Sequence, residues 1–122
     1  MKVDLYFLNS QLAKTLEVRE SCIDLCFRPT VEDAKKLVAL EVYERVASIE
    51  CPSTSIFEAA NCAYAASQHI DSNWTEGASV SEVFLPNKCR SSSVGDVFVI
   101  DGNAMLIAPV GFEPMPEVTF VM

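Results

Sequence analysis

The chain has 122 residues, half of them apolar and 21% charged. That is enough for one core-forming domain, and the composition is that of a globular protein rather than a disordered one. Seventeen acids stand against nine bases, for a formal net charge of −8. This balance excludes the usual nucleic-acid binder, which gains affinity by neutralising phosphates with Lys and Arg. The bases are also badly placed for that task, since none occurs from Val46 to Asn87 or from Ser91 to Met122.

Residues 3–8 alternate, with Val3, Leu5 and Phe7 on one side and Asp4 and Tyr6 on the other, and read as a strand. Residues 17–28 carry Val18, Cys22, Ile23, Leu25, Cys26 and Phe27 and read as a second extended segment, closed by Arg28-Pro29. Thr30 is a helix N-cap, with Glu32 and Asp33 in the first turn and an apolar face of Val31, Ala34, Leu37 and Val38. This predicts a helix near 31–41. A strand over 42–51 follows, although a continuous helix through Ile49 fits the same apolar spacing.

After the loop Cys51-Pro52-Ser53-Thr54, the run Ser55-Ile56-Phe57-Glu58 matches a capping box. It predicts a helix over 55–69 that is rich in alanine and can approach a sheet closely. Phe57 and Tyr64 are expected to anchor it. Residues 69–80 read as a loop around Trp74. Residues 83–85 read as a short strand and Asn87–Ser93 as a polar loop. Val97-Phe98-Val99-Ile100, Asp101-Gly102 and 104–108 spell a β-hairpin, since Asp-Gly supplies the positive backbone angles of a tight turn. Pro109, Pro114 and Pro116 limit regular structure beyond it. The expected fold is a single α+β domain over residues 1–122, with a mainly antiparallel sheet of about five strands packed on one face by two helices.

Reaction machinery is sparse. There is no phosphate-binding glycine loop, dinucleotide fingerprint or nucleophile elbow. The single histidine, His69, falls at an expected helix end, where it suits the negative terminus rather than catalysis. Cys22, Cys26, Cys51, Cys62 and Cys89 are odd in number and contain no CxxC spacing. They read as free thiols of a reducing compartment, so no metal and no cofactor is expected. The start shows no secretory leader pattern, and no stretch is apolar for long enough to span a membrane.

One segment stands out: Arg90-Ser91-Ser92-Ser93-Val94-Gly95-Asp96. An Arg, hydroxyls and a Gly before a strand can hold an anion, so Arg90, Ser91, Ser93 and Trp74 are the candidate ligand-binding residues. The same residues also suit a structural role, with the Arg fork and hydroxyls satisfying the loop's backbone groups and the Trp74 ring N–H bonded to a carbonyl.

The stretch from Tyr43 to Glu50, the capped helix ending Ser67-Gln68-His69-Ile70-Asp71, Trp74, Arg90–Val97, Asp101-Gly102 and Val110-Gly111-Phe112-Glu113 together resemble the YodL-like domain. This domain occurs among small uncharacterised proteins of tailed phages and mobile elements. The resemblance covers about residues 43–113 and departs at Ala104-Met105-Leu106, where such proteins tend to place a Tyr. It implies a bacterial cytoplasmic setting and carries over no reaction, cofactor or catalytic residue. The expected function is therefore that of a non-enzymatic accessory protein acting by protein–protein interaction. The two competing expectations are a ligand or anion binder, enzymatic or not, centred on residues 90–96, and an acidic nucleic-acid mimic that inhibits a DNA-binding host protein.

Overall fold

The structure, a computed structural model, describes residues 1–9, 12, 14, 17, 19–68, 74–77, 79–84, 90–116 and 118. The sequence readings of His69 and Cys89 lie outside these residues, as do the side chains of Cys22 and Cys26. Ten elements matter: β1 (Lys2–Leu8), α1 (Arg19–Phe27), α2 (Val31–Ala39), β2 (Tyr43–Glu50), α3 (Ile56–Ala66), a 3-10 turn (Trp74–Glu76), β3 (Val80–Val83), β4 (Val97–Ile100), β5 (Asn103–Ile107) and β6 (Phe112–Met115). The strands form one six-stranded antiparallel sheet in the order β3-β2-β1-β4-β5-β6. The α+β class is as expected; among the described residues six strands and three helices with described bounds stand where about five strands and two helices were expected.

The alternation read in residues 3–8 builds the centre of the sheet. Val3, Leu5 and Phe7 join Phe98, Ile100, Met105 and Ile107 on one face, against Ala59, Ala60 and Ala63 of α3. Tyr6, Val97, Ala104, Leu106 and Met115 occupy the opposite face, against Leu25 of α1 and Ala34 and Leu37 of α2. The helices therefore cover both faces of the sheet, not one. The runs Val97–Ile100 and Ala104–Ile107 are nearly continuous in apolar residues because each strand buries both of its sides.

Residues 19–27 are helical, which corrects the extended reading of 17–28. Val18, Cys22 and Leu25 are spaced i, i+4, i+7 in the sequence, which is a helical spacing rather than a period of two. Leu25 is fully buried, while Ile23 and Phe27 are exposed. Pro29 disfavours helical backbone at the preceding residue, and the helix stops at Phe27.

The helix-to-strand choice at residues 40–42 resolves as a break. Glu41 adopts φ 57°, its amide donates to the Val38 carbonyl and the Val42 amide donates to that of Leu37. This is a Schellman ending with a non-glycine residue at the left-handed position. Thr30 caps α2 as predicted, its hydroxyl accepting from the Asp33 amide at 3.2 Å.

At α3, Ser55 accepts from the Glu58 amide at 3.5 Å. The reciprocal half of the capping box is replaced, since the Glu58 carboxylate accepts from the Ser53 hydroxyl and the Ser55 amide donates to Ser53 Oγ. The alanines hold α3 against the sheet, whereas Phe57 and Tyr64, expected as anchors, remain 52% and 37% exposed. The hairpin turn has positive φ at both Asp101 and Gly102, as a type I′ turn requires. The short strand expected at 83–85 is β3, shifted to 80–83, with Leu85 outside the described residues. β6 was not anticipated past Pro109; its Pro114 is tolerated because β6 is an edge strand.

Candidate functional site

The Arg90–Asp96 loop enters β4 beside the end of β1. Asp96 is fully buried, and a carboxylate so placed must be matched by donors. Four are present. Arg90 NH1 donates to Oδ2 at 2.6 Å and NH2 to Oδ1 at 2.7 Å, a bidentate pair. The Leu8 amide donates to Oδ1 at 3.0 Å and the Ser93 amide to Oδ2 at 2.8 Å. Burial pushes the Asp96 carboxyl above its ordinary range, and the Arg90 guanidinium and the two amides pull against that rise.

The guanidinium does more than pair. It donates to the carbonyls of Ser91 at 3.0 Å and Leu8 at 3.3 Å and lies over the Phe7 ring at 4.6 Å. Trp74, 3% exposed, packs against Phe7 with ring centroids 6.1 Å apart. Its indole N–H donates to the Arg90 carbonyl at 2.8 Å, the kind of bond expected of a structural Trp.

Further along, the Ser92 amide donates to the Ser67 carbonyl at 3.0 Å. The Ser67 and Ser92 hydroxyls share a hydrogen bond, and Gln68 Nε2 donates to Ser92 Oγ at 2.8 Å. The loop is thereby tied to the C-terminal end of α3. Gly95, at φ 96°, offers its carbonyl to the Tyr43 hydroxyl at 2.6 Å. Chain ends of β1, β2, α3 and the 3-10 turn thus converge on one loop.

Of the candidate residues, Arg90, Ser91 and Trp74 are brought together, and Ser93 contributes its backbone N–H at an exposed position. The sequence reading named Ser92 and Asp96 within the segment but left both out of the candidate residues. Asp96 is the anion that the Arg90 fork holds, and Ser92, rather than Ser91 or Ser93, is the buried hydroxyl. The available signal was an acid placed directly before a fully apolar strand, six residues after the Arg. The four Asp96 donors and the four hydrogen bonds at Ser92 make this a clasp that closes the hairpin onto β1 and α3.

A second polar group sits on β1 and β2. Arg45 pairs with Asp4 at 3.1 Å, the Ser48 hydroxyl also donates to Asp4, and Phe84 lies 4.2 Å below the guanidinium. Burial raises the nearby Tyr6 phenol, with Arg45 pulling it down and Asp4 pushing it up. Cys51 is buried and Cys62 half-buried, both free. Burial and the Cys62 thiol push the Cys51 thiol up to about 12. Among the described residues no three His, Cys, Asp or Glu side chains gather as a metal site, and no helix is long and apolar enough to cross a membrane.

An apolar concavity lies elsewhere, between the start of α3, the β4–β5 turn and the end of β6. None of Trp74, Arg90, Ser91 or Ser93 lines it. No protein-family model, characterised protein or solved structure matches the chain.

Proposed function

We propose that the chain is a non-enzymatic accessory protein of the phage or mobile-element kind, acting in the bacterial cytoplasm by binding a basic protein partner. The observation that carries this reading is the charge distribution along the chain, with exposed acids and exposed apolar side chains in the stretch beyond Arg45. Beyond Arg45 the sequence holds only two bases, Lys88 and Arg90, and the Arg90 guanidinium is bonded to buried Asp96. The exposed acids Glu58, Asp101 and Glu113 share that stretch with the exposed apolar side chains Phe57, Tyr64 and Val110. An acidic field steers a basic partner, and apolar anchors supply the contact energy.

Affinity capture on the tagged chain from a lysate of its own cells, read by quantitative mass spectrometry at low and high salt, tests the reading. The expected result is a basic protein retained at low salt and depleted at high salt. Capture of no specific protein overturns it.

A further inference from the structure

Cys51 and Cys62 carry chemistry that the clasp does not use. Cys51 directly follows β2. Its amide donates to the Met1 carbonyl at 2.8 Å, and its own carbonyl accepts from the Ser53 amide at 2.8 Å, so its backbone is fixed at the end of the sheet. Cys62 lies on α3 with Ala59 and Ala66, spaced i, i+3 and i+7 along one stripe of the helix. All three pack in or against the core cluster that contains Cys51. The strand end and the helix stripe thus bring the two thiols within hydrogen-bonding reach of each other. A single buried thiol acts as a small hydrophobe. Two thiols in contact, one of them open to solvent, are a dithiol.

Their access is unequal. Cys51 is 1% exposed, whereas Cys62 is half-buried and can be met from solution. Burial first, then the Cys62 thiol and the Glu50 carboxylate, hold the Cys51 proton in place, with the N-terminal ammonium pulling the other way. A reagent in solution therefore meets Cys62, and Cys51 is the second sulfur waiting behind it.

We propose that Cys62 is a modification site for a small-molecule disulfide of the glutathione type, and that Cys51 resolves the adduct into an intramolecular disulfide. In the first step the Cys62 thiolate attacks one sulfur of the reagent. The reagent's S–S bond breaks, and one half leaves as a thiolate that takes up the proton Cys62 lost. In the second step the Cys51 sulfur attacks Cys62 Sγ. The mixed S–S bond breaks, and the other half leaves as a thiol with the Cys51 proton. Two protein thiols are oxidised to one disulfide, and one small disulfide is reduced to two thiols. The bond closes residues 52–61 into a loop and pins α3 to the end of β2. This site stands apart from the reading of the chain as an interaction protein.

The test treats the reduced, folded chain with glutathione disulfide in mildly alkaline buffer and maps the products by non-reducing peptide mass spectrometry. The expected product of the wild type is a Cys51–Cys62 linked peptide, lighter than the reduced pair by two hydrogen atoms. Cys51→Ala removes the resolving sulfur without leaving a polar group in the core, and is expected to keep glutathione on Cys62. In folded Cys62→Ala, Cys51 is expected to take up glutathione about tenfold more slowly or less than Cys62 does in Cys51→Ala. Glutathione that stays on Cys62 of the wild type with no internal bond overturns the resolving role of Cys51. Equal uptake by Cys51 and Cys62 in these variants overturns the order of the two steps. Circular dichroism checks that each variant is folded. Where one is not, the wild-type linkage decides alone: a bond from either residue to Cys22, Cys26 or Cys89 in place of the Cys51–Cys62 bond, or no bond at all, overturns the proposal.

Discussion

Replacing Arg90 with Ala is the sharpest perturbation of the clasp. It deletes both bonds to Asp96, of 2.6 and 2.7 Å, the two carbonyl contacts and the stack on Phe7. The Asp96 side chain stays fully buried with only the Leu8 and Ser93 amides as donors. Removing one partner of a buried pair costs about 3–5 kcal/mol. The Arg90 side chain is itself 44% exposed, so solvent already weakens the pair, and about 2–4 kcal/mol is expected. For a chain of this size that is a fall in melting temperature of roughly 6–16 °C.

The pH dependence gives a second readout. Because burial raises the Asp96 carboxyl in the fold, the folded state holds its proton more tightly than the unfolded state, where the value is about 3.9. This group therefore favours folding most below that pH, and the contribution is lost as pH rises through the folded value. Removing the guanidinium removes the main downward pull, so the deficit of Arg90→Ala shrinks as the pH is lowered from 7 towards 4. Thermal and urea unfolding across this range measure both effects. A melting temperature unchanged at pH 7 would refute the clasp and return Arg90 to the role of a ligand-binding residue.

Three further outcomes follow from single positions. Glu41→Gly relieves the left-handed backbone at φ 57° and raises unfolding stability by about 0.5–1 kcal/mol in urea titration. Gly95→Ala lowers it by about 1–3 kcal/mol, because φ is 96° and a Cβ would lie 3.3 Å from Leu8 Cδ1 and 3.4 Å from the Leu25 carbonyl oxygen. Cys51, raised from 9.0 to about 12, resists alkylation at pH 8 in the native chain and reacts on unfolding, as residue-resolved mass spectrometry reads. Its protonated state favours folding fully below pH 9, and that contribution is lost between pH 9 and about 12. Equal labelling of Cys51 with and without denaturant would contradict its burial.

How much of this was legible depends on how local each cause is. β1, the α2 cap and the Asp101-Gly102 turn are written in neighbouring residues, and the sequence reading placed all three. Helix α1 was misread because the apolar content of 17–28 was weighed without its spacing. The end of α2 was ambiguous because Glu41 supplies none of the glycine signal that a left-handed helix stop normally carries. The coverage of both sheet faces was signalled by the unbroken apolar run Val97–Ile100, but which helix covers which face depends on tertiary packing. At the clasp, the types Arg90 and Trp74 were conspicuous. The central pairing was not, because the Asp96 carboxylate is fixed in part by the Leu8 amide, 88 residues away, and no local pattern encodes that approach.

The central claim is that this chain works by binding a basic protein partner, with exposed Phe57 as an apolar anchor. It is tested most directly by comparing the proteins captured by the wild type and by Phe57→Ser, side by side at low salt, after circular dichroism and melting curves have shown both to be equally folded. The account predicts a basic protein held by the wild type and depleted about tenfold or more by the substitution, the loss typical of a truncated interface anchor. Equal recovery on both chains would contradict it.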